Sequence, residues 1–117
     1  MRKRSIITEY GDISAFSGRP RECDHHVVFG VGMKPLADED GLFIPLTNAE
    51  HNLSQVGTIN QIHGNPAAEK LSKMVGQLAW EKEYVACVLA ELSGSTVEDI
   101  KSEAREKFMK RYGISYL

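Results

Sequence analysis

Two regimes of hydrophobic patterning divide the chain. From Asn65 onward, Leu71, Met74, Val75, Leu78, Val85, Val88, Leu89 and Leu92 recur at three- and four-residue intervals. That spacing is the signature of an amphipathic helix. Asn65-Pro66 predicts its start: an asparagine can cap free amides, and proline lacks only an N–H that the first helical position would leave unpaired. Ser93-Gly94 predicts its end. A second helix is expected to open at Ser95-Thr96-Val97-Glu98, which fits a capping box with Ser95 as the cap. Its stripe is Val97, Ile100, Ala104 and Phe108, and Gly113 should end it. The two helices are expected to pack on each other and on the first half of the chain. No chemistry is visible on them.

Residues 1–64 carry only short apolar runs among Gly, Pro, Asn and Asp. HVVFG (26–30) reads as a short strand closed by a glycine turn. GLFIPL (41–46) reads as a second extended segment, with Pro45 placing it near an edge. The intervening VGMKPLADED reads as a polar turn region, and its acidic run Asp38-Glu39-Asp40 as a solvated loop. HNLSQ (51–55) reads as the start of a short helix. The order β, β, α followed by two helices makes the chain α+β. Its 117 residues, 42% apolar, match one domain spanning 1–117.

Composition narrows the classes further. No apolar run approaches the roughly 20 residues needed to cross a bilayer. The opening MRKRSIITEYGD has no apolar stretch after its basic residues, so a signal peptide is not expected, and a cytoplasmic location is. Cys23 falls in a polar turn region and Cys87 in a helical pattern, so no disulfide is expected. The net charge of −2 argues against a dedicated nucleic-acid coat. A local basic patch could still come from Arg2, Lys3, Arg4, Arg19 and Arg21.

All four histidines, His25, His26, His51 and His63, lie in the first half. Neighbours on a straight strand face opposite ways, so His25 and His26 could not both bind one ion there. A strand end permits a division of labour, one imidazole on a metal and the other on a water. Spacing alone would equally suit ordinary surface histidines, and it is far less specific than a paired C-x-x-C.

The motifs taken together are more specific. HHVVFG (25–30), DEDGL (38–42), IPL (44–46), HN (51–52) and IHGN (62–65) follow one another in order, with GQLAWE (76–81) and a close of KRYGISYL (110–117). In these the chain resembles small phage-encoded HNH endonucleases. The resemblance implies a ββα-metal, treble-clef-like core over 14–65, followed by a helical part over 66–117. It implies a metal-dependent DNA endonuclease of phage DNA processing, working in the host cytoplasm. In that reading His26 is the general base, and His25, His51 and His63 bind one divalent ion (Mg, Mn, Ni or Zn). The asparagine that orients the base has no counterpart between His26 and Ile44. Asn52 is the first candidate, with Asn48 or a backbone carbonyl as alternatives, and Asp24 could replace His25 on the metal.

The departures from the family pattern matter as much. Its four zinc-binding cysteines fall here on Ser14, Ser17, Thr47 and Glu50. Hydroxyls are poor zinc ligands, so no structural zinc is expected, and the long helices would supply core in its place. Cys23 reads as a small packed residue. Two other classes compete: a non-catalytic DNA-binding or protein-interaction module of the same descent, and a small metal protein whose histidines close the coordination sphere. HH, HN and IHGN are kept while the cysteines are gone, and this favours the enzyme. The length of the 66–92 stripe also suggests a homodimer contact.

Overall fold

The computed structural model describes residues 3–91 and 96–117. β1 (Cys23–His26) and β2 (Phe43–Leu46) pair antiparallel, with His25 opposite Ile44 and His26 opposite Phe43. Between them lies α1 (Met33–Asp40); after them come α2 (Asn48–His51), a 3-10 turn (Thr58–Asn60), α3 (Pro66–Glu91) and α4 (Val97–Tyr112). The architecture is α+β. Among the described residues no helix is long and apolar enough to cross a membrane.

The first strand lies upstream of the expected 26–30. Val27 still donates to the Leu42 carbonyl at 3.0 Å, but Val27 and Val28 then turn into the core, both essentially inaccessible. Pro45 cannot donate to a ladder, yet its carbonyl accepts from Ala15 N–H at 2.8 Å. The N-terminal segment is thereby tied to this strand.

An eight-residue helix stands where a polar turn was expected. Glycines in the left-handed conformation bound α1 on both sides, Gly32 with φ 79° and Gly41 with φ 74°. At Gly41 a side chain is excluded twice over, because a Cβ would also lie 2.5 Å from the Arg4 carbonyl oxygen. The acidic run is not a solvated loop. Asp40 accepts hydrogen bonds from Arg111 Nε at 2.7 Å, Tyr112 Oη at 2.6 Å and Trp80 Nε1 at 3.0 Å. Glu39 accepts from Arg111 Nη2 at 2.8 Å. These bonds bolt α1 to both long helices.

The helical half begins and ends as its caps predict. Asn65 Oδ1 accepts from Ala68 N–H at 3.2 Å, and Gly113, with φ 81°, returns its N–H to Met109 O at 2.7 Å. The start of α4 differs by one residue: Thr96, not Ser95, caps it by accepting from Asp99 N–H. Leu92, Ser93, Gly94 and Ser95 lie outside the described residues. On α4 the buried positions are Ile100, Ala104, Phe108 and Tyr112, whereas Val97 is exposed.

The packed face of α3 is the larger correction. Leu71, Val75, Leu78 and Leu89 from the expected stripe are exposed. The buried residues are instead Gly76 and Gln77, with Ser72, Ala79 and Trp80 half-buried beside them. Gly76 explains the choice. A Cβ there would lie 2.5 Å from Val28 Cγ2 and 2.8 Å from Val27 Cγ2. The helix backbone therefore sits directly on the valines, closer than any leucine stripe would allow. Gln77 is satisfied in the same interface, donating to Glu81 and Ser115 and accepting from Tyr116 N–H at 2.6 Å. One buried cluster runs from Val27, Leu42 and Leu46 to Phe108 and Tyr112.

Candidate metal centre

β1 delivers His25 to the inner side of the sheet, where it is fully buried, and His26 to the other side. α2 delivers His51 at its last position. The chain then returns beside α2, where Ile62 N–H donates to Glu50 O and His63 N–H to His51 O, each at 3.0 Å. That pair of backbone bonds sets His63 against His51, with ring centroids 4.6 Å apart. His25 lies 5.1 Å from each of the other two rings. One ring nitrogen from each of the three lies within 4.8 Å of the others. The structure thus brings together the three residues expected to bind metal, and such a trio could hold an ion. Among the described residues no other His, Cys, Asp or Glu joins this group.

Each ring has one nitrogen engaged from behind. His25 Nε2 is 2.8 Å from Ser72 Oγ, His63 Nδ1 is 3.3 Å from a Glu69 carboxylate oxygen, and His51 Nδ1 is 3.6 Å from Cys23 Sγ. Such outer partners fix tautomer and ring orientation in metal-binding histidines. His25 Nδ1, by contrast, is buried with no hydrogen-bond partner. Buried polar atoms are rarely left so. An orphaned lone pair beside two other imidazoles fits a metal ligand. Burial, aided by the charges of His51, His63 and His26, pushes the basicity of His25 down to about 3. Burial and the charges of His63 and His26 lower that of His51. Both rings therefore present neutral nitrogens at neutral pH.

His26 does not meet Asn52, which is exposed at the end of α2 and makes no side-chain hydrogen bond to it. The hydrogen-bond partner of His26 is Asp38 on α1, with Nε2 2.7 Å from Oδ1. Since a carboxylate only accepts, Nε2 carries the proton and Nδ1 remains the basic atom. Asp24 faces away from His25 along the strand and pairs with Arg21 at 3.7 Å. On that outer side a cleft of about 270 Å³ is lined by Lys3, Arg4, Thr8, Arg21, Asp24 and Phe43. The Phe43 ring is also a neighbour of His26.

Comparison of the chain with family models, curated proteins and solved structures finds no match.

The residues expected to stand in place of the HNH cysteines, Ser14, Ser17, Thr47 and Glu50, also lie together. Ser14 Oγ donates to Glu50 at 2.5 Å, and Thr47 N–H donates to the same carboxylate oxygen at 2.8 Å. Ser17 contributes a further hydrogen bond. Burial opposes ionisation of Glu50, but these donors outweigh it and hold the carboxyl below its usual range. Thr47 and Glu50 form a reciprocal capping box on α2, readable in the sequence as T-x-x-E. Cys23, expected only to pack, lies against His51, and burial followed by the charges of Asp24 and Glu22 keeps its thiol protonated. Asp38, Ser72 and Glu69 had no sequence signal, because each reaches its histidine through the docking of a helix.

Proposed function

We propose that this chain is a metal-dependent DNA endonuclease of the HNH type, with a ββα-metal core. The observation that carries the reading is the buried, partnerless Nδ1 of His25 in a cluster with His51 and His63. Three imidazole ligands suit zinc or nickel better than magnesium, which prefers oxygen ligands. Three protein ligands also leave coordination positions open, as a reacting site requires and a closed structural site does not. A divalent ion held there would supply positive charge at the phosphate oxygens as the bond breaks. His26, held by Asp38 through Nε2, takes the proton of the attacking water on Nδ1. Lys3, Arg4 and Arg21 in the adjoining cleft offer charge to the DNA backbone. A second copy of the chain is the other expected partner, on the exposed residues Leu71, Val75 and Leu78 of α3. Sedimentation of the wild type beside Leu71→Lys checks it, a monomer at all concentrations excluding it.

The test is nicking of supercoiled plasmid with Zn²⁺, Ni²⁺, Mn²⁺ or Mg²⁺ supplied separately, beside His26→Ala. Metal-dependent nicking lost in the variant supports the enzyme. DNA binding by a folded chain that cuts with no ion would instead leave a non-catalytic binding module.

A further inference from the structure

His25 is held between the sheet and α3 by one hydroxyl. Ser72 Oγ lies 2.8 Å from the Val27 carbonyl oxygen and 2.8 Å from His25 Nε2. A serine has one proton to give, so the two bonds cannot both be donated by it. The carbonyl can only accept. Its neighbour across the ladder, the Leu42 amide, is committed to Ala37 O at 2.9 Å. Were Ser72 to donate to His25 instead, the Val27 carbonyl would lose this donor. His25 would then carry its proton on Nδ1, which has no partner. Two buried groups would be unsatisfied rather than one, each losing its hydration with no bond in return. Ser72 therefore donates to Val27 and accepts from His25 Nε2–H.

We propose that Ser72 is a positioning residue that fixes His25 as the Nε2–H tautomer, making Nδ1 its metal-binding atom. This deepens the reading of the histidine cluster given above and rests on it. The other two rings are engaged at the opposite nitrogen, His51 by Cys23 and His63 by Glu69, both at Nδ1. The set offered to a metal is thus one Nδ1 and two Nε2 atoms. The arrangement ties the site to α3, since Ser72 lies one helical turn from Gly76, where that helix rests on Val27 and Val28.

Two measurements on the full chain decide it. Nitrogen-15 NMR of the metal-free protein reads the tautomer of His25, and calorimetric titration with Zn²⁺ reads affinity, for wild type, Ser72→Ala and Ser72→Thr. The expected wild type shows His25 protonated at Nε2, with Nδ1 shifting when zinc is added. Ser72→Ala is expected to lose the single tautomer and to bind zinc about 10–100-fold more weakly. Ser72→Thr, which keeps the hydroxyl, is expected to restore both. A purely structural role would lower melting temperature in Ser72→Ala but leave tautomer and affinity unchanged, and that result overturns the proposal. So does a wild-type His25 protonated at Nδ1. A wild type that binds no zinc while His25 is protonated at Nε2 overturns the metal-ligand reading of the cluster, with only the hydrogen bond surviving.

Discussion

Ser14 and Glu50, thirty-six residues apart, share a 2.5 Å hydrogen bond that joins the N-terminal turn to the start of α2. The carboxylate also takes the Thr47 amide at 2.8 Å, so one side chain ties the N-terminal turn to the first turn of α2. Hydrogen bonds to an ionised acceptor contribute about 1.5–3 kcal/mol, more than neutral ones. Glu50→Gln keeps the shape but removes the charge and turns one acceptor into a donor. It is expected to destabilise the chain by about 1–3 kcal/mol, read as a lower urea midpoint at unchanged slope. A midpoint equal to wild type would show that the carboxylate is not holding the turns.

The same cluster tests the correspondence with the cysteine positions of the HNH pattern. If Ser14, Ser17, Thr47 and Glu50 occupy a zinc knuckle in which a carboxylate and hydroxyls replace metal and thiolates, their four-fold replacement by cysteine should create a tetrahedral site. The variant is expected to bind one more equivalent of Zn²⁺ than wild type. Its Co²⁺ form should show the intense absorption of thiolate-bound tetrahedral cobalt. Metal stoichiometry equal to wild type in a folded variant would remove the correspondence.

What could be read from the chain alone follows from where the information lies. The caps at Asn65 and Gly113 are local chemistry, and the helix ends fall where they predict. α1 was illegible because its apolar residues are few and Pro35 interrupts them. Asp40 instead holds α1 to Trp80, Arg111 and Tyr112, contacts 40 to 72 residues distant. The α3 stripe misled for the opposite reason. Counting Leu and Val favoured Leu71 and Leu78, while the packing is decided by the absence of a side chain at Gly76. The histidines were visible through the resemblance, but their outer partners were not. His25 and Ser72 are 47 residues apart and meet only because α3 docks.

Asp38 provides the next test, because His26, the base in the proposed reaction, was expected to be oriented by an asparagine and has a carboxylate instead, 2.7 Å away. Asp38→Asn can still accept from Nε2–H, but loses the charge that favours the protonated imidazole once His26 has taken a proton. Nicking is expected to fall by about 10–100-fold, the usual effect of removing such a partner. Zinc affinity should stay close to wild type, since Asp38 bonds to His26, which β1 turns to the side opposite His25. Unchanged nicking would mean that Asp38 does not orient the base, and unchanged nicking with weakened zinc binding would move its role to the metal.

Gly76→Ala sets two effects of opposite sign against each other. Alanine favours a helix interior over glycine by about 1 kcal/mol. Its methyl, however, would fall 2.5 Å from Val28 Cγ2 and 2.8 Å from Val27 Cγ2. Both valines are fully buried and branched close to the backbone, so neither can swing aside as the end of a long side chain would. Overpacking of this kind costs about 1–3 kcal/mol. The clash is therefore expected to win, with a net loss of up to about 2 kcal/mol seen in urea unfolding. Pushing α3 outward also carries Ser72 away from His25, so zinc binding should weaken in the same variant. A variant more stable than wild type, with zinc binding intact, would show that α3 does not rest on the valines at this position. The glycine would then be a tolerated defect in the helix, not the reason for its choice of face.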